Sequence, residues 1–125
     1  MTLPPDRSYT SDHEWLQIDG DTATVGVTAY AADALGDVVY LELPGVGSTV
    51  KSGEVCGEIE STKSVSDLYA PADGEVVAIN DSVTANPGVV NLDPYGEGWL
   101  LRIRLTDSPN LLDVDAYKAL IEDNS

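Results

Sequence analysis

The chain has 125 residues, 42% hydrophobic and 22% charged, with 22 carboxylates against 6 lysines and arginines, a net charge of −16 and a pI near 4.1. That length suits one domain with a modest core and that composition excludes a disordered chain, while the charge works against nucleic acid and anionic membranes and favours basic partner surfaces. A single cysteine, Cys56, and a single histidine, His13, exclude an intrachain disulfide and a cysteine-built metal cluster, and make a self-sufficient nucleophilic enzyme a poor reading.

From the N-terminus, Met1 to Arg7 has no basic start followed by an apolar stretch, so it reads as neither a signal nor a transit peptide, and a cytoplasmic protein is expected. Residues 1–8 are expected to be loose and 9–125 to form one domain. No apolar run is long enough to span a bilayer. Trp15–Asp19 and Thr22–Thr28 predict two strands joined by Asp19-Gly20-Asp21, a strong hairpin turn. Thr28 caps a short predicted helix over Ala29–Leu35, which Gly36 ends in the left-handed region. Asp37–Leu43 predicts a strand stopped by Pro44-Gly45, and Val55–Ser61, Val65–Ala70, Gly74–Asn80 and Gly98–Leu105 predict four more. Ser108-Pro109-Asn110 reads as a helix start. Tyr117, Leu120 and Ile121 then fall on one helical face, within a helix over about 113–123 that places Lys118 toward its end. The sum is a β-rich domain with short helices.

Two features point past the fold. Gly36-Asp37-Val38-Val39-Tyr40-Leu41-Glu42 is echoed by Gly74-Glu75-Val76-Val77-Ala78-Ile79-Asn80, which suggests two similar β-units. Between the copies, Lys63 sits in Ser61-Thr62-Lys63-Ser64, where a hairpin tip would hold one primary amine in solvent. It is the one basic residue between Ser52 and Leu101. Alone it reads as a solubilising lysine paired loosely with Glu60. At the joint of a symmetric pair of units it reads as a covalent attachment point for a swinging cofactor. Cys56 reads as a buried structural thiol. Trp15 and Trp99 read as packing residues. His13 lies between Asp12 and Glu14, which favour its charged form.

A set of motifs then runs in order along nearly the whole chain: His13-Glu14-Trp15, Val25-Gly26-Val27-Thr28, Leu35-Gly36-Asp37-Val38-Val39, Glu42-Leu43-Pro44, Glu60-Ser61-Thr62-Lys63-Ser64, Pro71, Gly74, Asn80, Pro87, Asn91, Pro94-Tyr95-Gly96 and Gly98-Trp99. With these the chain resembles the H-protein of the glycine cleavage system. The resemblance implies an all-β barrel-sandwich hybrid with a C-terminal helix, a monomer, and lipoic acid in amide linkage on Lys63. It implies no catalysis by the chain itself. The partners it implies are a pyridoxal-phosphate glycine decarboxylase, a tetrahydrofolate-dependent aminomethyltransferase, a dihydrolipoamide dehydrogenase and a lipoate-attaching enzyme. It also associates the positions of Glu14 and Asp67 with a groove that receives the loaded arm. Asp12 departs from the small hydroxyl residue often found there and adds a carboxylate, and His13 is a further lining residue. A lipoyl domain of a 2-oxoacid dehydrogenase is the nearest alternative. It resembles Asp-Lys-Ala at the tip, and a biotinyl domain is expected to show methionines beside the lysine. An enzyme using Cys56 or His13 is the alternative from another class.

Overall fold

The computed structural model describes residues 3–123. Among these residues nine strands form two antiparallel sheets. In chain order the elements are β1 (Ser8–Tyr9), β2 (Glu14–Asp19), β3 (Thr22–Val27), α1 (Ala29–Leu35), β4 (Val38–Glu42), β5 (Thr49–Val50) and β6 (Val55–Ser61). There follow β7 (Val65–Tyr69), β8 (Gly74–Ile79), α2 (Asp81–Ala85), α3 (Val89–Leu92), β9 (Leu101–Leu105) and α4 (Val114–Asp123). One sheet has the order β1-β2-β3-β9-β8-β5 and the other β4-β6-β7. The architecture is the barrel-sandwich hybrid expected, mostly strand, with a short C-terminal helix. The two sequence copies lie on β4 and β8, one in each sheet.

Alternation within the strands builds the shared core. Leu16, Val25, Leu41, Ile59, Leu68, Val76, Leu101 and Ile103 face one another across the sheets and are buried. A second cluster, Tyr9, Trp15 and Tyr117, joins β1 and β2 to α4. Trp15 pairs with Gly26 across the β2–β3 ladder, and a Cβ at Gly26 would sit 2.5 Å from the indole. Its indole N–H donates to the Pro94 carbonyl at 2.9 Å. Trp99 is half-buried, with the Arg102 guanidinium 4.2 Å from its ring centroid.

Four points of the structure bear on the sequence reading. First, residues 3–8, expected to be loose, have hydrophobic and hydrogen-bonding partners in the rest of the chain. Ser8 pairs with Leu16, the Arg7 guanidinium donates to the Tyr95 carbonyl and lies over Trp15, and Leu3 packs on the aromatic cluster. Met1 and Thr2 lie outside the described residues. Second, the helix expected over about 113–123 runs over Val114–Asp123, and Ser108-Pro109-Asn110 does not start it. The Leu112 backbone is taken by reciprocal hydrogen bonds with Tyr9, both 2.8 Å, and Asp113 then supplies the cap by accepting from the Ala116 N–H. Third, Lys118 falls in the middle of α4, whose last turn has no basic residue. Fourth, α2 and α3 form in a stretch to which the sequence reading assigned no element. Asn80 ends β8 and caps α2, its Oδ1 accepting from the Ser82 N–H while its Nδ2 donates to the Glu97 and Trp99 carbonyls.

Candidate functional site

The β6–β7 hairpin closes in a turn with Ser61 as its hub. The Ser61 N–H donates to the Ser64 carbonyl at 2.8 Å, and its Oγ accepts from the N–H groups of Lys63 and Ser64. The Thr62 N–H donates to the Asp37 carbonyl, which ties the tip to the loop between α1 and β4. That loop is itself fastened, for Asn91 Nδ2 donates to the Gly36 carbonyl at 2.8 Å and Asn91 Oδ1 accepts from the Val38 N–H. Gly36 has φ of +83°, and a Cβ there would lie 3.2 Å from Lys63 Cε. A glycine therefore serves both the helix end and the passage of the lysine stem. Lys63 is exposed and makes no ion pair among the described residues, so the loose pairing with Glu60 is not formed.

A cleft of about 430 Å³ opens beside this tip. Its walls are the loop before β2, helix α1, and the edge strand β7 that descends from Ser64. Asp12, His13, Glu14 and Asp67 all line it, together with Ser64, Ser66, Tyr30 and Tyr69. The four residues associated with an arm groove thus converge on one cavity adjoining Lys63. Their surroundings differ. Asp12 and Asp67 are exposed. Glu14 is 2% exposed, and burial, with the nearby Asp12 carboxylate adding, pushes its carboxyl up from 4.5 to about 8. The Thr10 hydroxyl donates to its Oε1 at 3.2 Å, while Oε2 is buried with no hydrogen-bond partner.

The match to known proteins covers this whole frame. A model of the glycine cleavage H-protein family matches residues 7–124. The glycine cleavage system H protein of Beutenbergia cavernae is 57% identical over 120 residues, 96% of this chain and 97% of that protein. The H protein of Thermus thermophilus is 50% identical, covering 98% of each chain. A crystal structure of a glycine cleavage system H protein from Mycobacterium marinum superposes with a TM-score of 0.91 at 47% identity, covering 96% of this chain and 99% of that one.

The chain belongs to the glycine cleavage H-protein family.

As an H-protein family member it is a lipoyl carrier of the glycine cleavage system. Two expectations about its single His and Cys change in the folded molecule. His13 adopts a φ of 66°, and burial lowers its pKa despite the opposing pull of Asp12, so desolvation outweighs the flanking charge. Cys56 is half-buried rather than buried, and burial first, then the Glu14 carboxyl, raise its thiol to about 11. Such a thiol is unreactive at neutral pH.

Thr28 and Tyr117, read from the sequence only as a cap and a packing residue, back the cleft through His13 without lining it. The Tyr117 hydroxyl lies 2.8 Å from His13 Nδ1 and 2.8 Å from Thr28 Oγ1, and Thr28 Oγ1 also accepts from the Ala31 N–H. The C-terminal helix is thereby joined to the start of α1 and to the cleft wall. The bare pattern of apolar residues carries no trace of this, because Tyr117 occupies a core position and only its hydroxyl reaches the site. Tyr117→Phe should keep the stack on Tyr9, whose ring centroid lies 4.8 Å away. It should cost about 1–3 kcal/mol in denaturant unfolding, since the fully buried Thr28 loses a partner.

Proposed function

We propose that lipoate is held in amide linkage on Lys63, and that the chain shuttles the aminomethyl group of glycine between enzymes without catalysing a step itself. The group is received from the pyridoxal-phosphate decarboxylase and passed to the tetrahydrofolate-dependent aminomethyltransferase. The dithiol is then presented to dihydrolipoamide dehydrogenase. A lipoate-attaching enzyme loads the chain, which works as a cytoplasmic monomer. The observation that carries this reading is the exposed, unpaired amine of Lys63 on a tip fastened by Ser61, Asp37 and Asn91, next to a cleft lined by carboxylates.

The residues present fit the group. Lys63 offers a free amine for the amide, and the orphan Oε2 of Glu14 offers an acceptor to what enters the cleft. When bound, lipoate supplies a disulfide–dithiol pair that takes up a carbon unit and two electrons; the chain's part is to position it. The tip turn fixes the origin of the arm while the lysine stem swings, which keeps the sulfur at high local concentration for a docked partner. The cleft provides shelter. A carbon bearing both a sulfur and an amine loses ammonia in water, and its ammonium form is held by Glu14 from β2 and Asp67 from β7, with Asp12 and His13 at the rim. Each charge-assisted hydrogen bond contributes roughly 1.5–3 kcal/mol before losses to solvent.

The test is spontaneous ammonia release from the loaded protein, compared among the native chain, Glu14→Ala, Asp67→Asn and the double variant. About tenfold faster release, equivalent to roughly 1.4 kcal/mol, is expected in the double variant with lipoylation unchanged. Equal rates in all four proteins overturn the sheltering role.

A further inference from the structure

Glu14 is a buried acid with one oxygen left over. Its Oε1 is served by Thr10, and its Oε2 has no partner. The groups around it offer no counter-charge. Asp12 and His13 come from the preceding loop, Cys56 from β6, Asp67 and Tyr69 from β7, and Tyr30 from α1. Of these only His13 can carry a positive charge, and burial holds it toward its neutral form. No lysine or arginine lines the cleft among the described residues. A carboxylate in this position would lack a donor on one oxygen and a cation for its charge; a carboxylic acid needs an acceptor for its O–H but removes the unpaired buried charge, the larger cost.

We infer that Glu14 is a neutral acid in the resting cleft and gives up its proton to solvent when a primary ammonium enters, so that seating a cationic arm is coupled to the release of one proton. This deepens the sheltering role proposed above and rests on it. Before seating there are a carboxylic acid and an ammonium. Afterwards there are a carboxylate hydrogen-bonded to that ammonium and one proton in water. No bond to carbon changes and nothing is oxidised or reduced. The consequence is recognition of the cargo by its charge. An arm without a cation leaves Glu14 uncharged and gains little from it. An arm with one creates its own counter-ion in a desolvated place, where a charge-assisted hydrogen bond is strong. Burial acts in the same direction on the carboxyl, and the nearby Asp12 charge adds to it.

The experiment uses lipoylated protein labelled with carboxyl-¹³C glutamate. The reduced arm is alkylated with 2-bromoethylamine, so that a thiolate displaces bromide and leaves a stable aminoethyl thioether. Bromoethane gives an uncharged control. Cys56, with its raised thiol, alkylates slowly, and peptide mass verifies the site. The Glu14 signal is assigned by its loss in Glu14→Gln. It should titrate near pH 8 with the oxidised or ethyl arm and be ionised at pH 7 with the aminoethyl arm. The ratio of docked to free aminoethyl arm should fall about tenfold from pH 7 to pH 6, while the ethyl arm shows no such change. A Glu14 signal in the ordinary carboxylate range with the uncharged arm overturns the proton coupling and leaves the carrier reading intact. An aminoethyl arm that is free at every pH, with lipoylation on Lys63 intact, overturns the cleft as the arm's seat and the coupling with it.

Discussion

Lys63→Arg should abolish carrier activity and lipoylation together, yet shift unfolding stability by no more than about 0.5 kcal/mol. The chemical half of this result follows from the guanidinium, which stays protonated and delocalised and does not form the amide that a primary amine forms. The structural half follows from the tip. Lys63 is exposed, its amine makes no ion pair among the described residues, and arginine keeps the methylene stem that passes over Gly36. The turn does not depend on the side chain either, since Ser61 holds it through the backbone N–H groups of residues 63 and 64. Exposure alone does not single out this lysine: Lys51 and Lys118 are exposed too. Lys51 follows a two-residue strand and Lys118 lies within α4, and neither stands on a hairpin turn tied to a second loop. Intact mass should show one lipoyl addition to the native chain and none to the variant, and peptide mapping should place it on Lys63. Full lipoylation of the arginine variant at another lysine would sink the assignment.

Glu14→Gln changes how stability depends on pH. The Glu14 carboxyl is raised from 4.5 to about 8 in the folded chain, so the folded state keeps a proton that the unfolded chain releases above pH 4.5. Its contribution is therefore fully present below about pH 4.5 and is lost as pH rises through about 8, with the unfolded state favoured by its ionised carboxylate. The glutamine variant has no proton to lose. The difference in unfolding free energy between variant and native chain should move in the variant's favour by on the order of 4 kcal/mol from pH 4.5 to pH 8.5. At 2% exposure the side chain has little solvent to screen the effect. Taking the difference cancels the mutual repulsion of the other carboxylates, which weakens both proteins alike as pH rises. Urea unfolding at several pH values measures it, and parallel curves would show that Glu14 ionises normally in the folded protein.

The tip and the strands beside it were legible in the residues because they rest on local rules. Asp19-Gly20 turns the first hairpin, Thr28 caps α1 with its Oγ1 on the Ala31 N–H, and Gly36 ends that helix at positive φ, as their residue types require. The alternation of Val55–Ser61 and Val65–Tyr69 placed Lys63 between two strands. By contrast, α2 and α3 are five and four residues long, too short for a helical period to show. Asn80 caps α2 while reaching the Glu97 and Trp99 carbonyls, and Asn91 on α3 bonds to Gly36 and Val38, far along the chain. Ser108-Pro109-Asn110 starts no helix, since the backbone of Leu112 just beyond it is committed to Tyr9, far along the chain.

The cleft divides in the same way. Motif order pointed to Glu14 and Asp67 through family resemblance, but nothing in the local pattern separates them, since both are acids beside strand residues. The sequence by itself determined that one lysine stands at a hairpin tip among acids, because alternation, turn residues and charge are properties of short segments. Only the tertiary structure decided that Glu14 is buried opposite Val27 while Asp67 stays exposed on an edge strand, and that the Tyr117 hydroxyl reaches His13. Protonation follows from those placements. Flanking carboxylates argue for a charged His13, yet the desolvation imposed by packed elements is the larger effect on both His13 and Glu14, and no stretch of neighbouring residues encodes it.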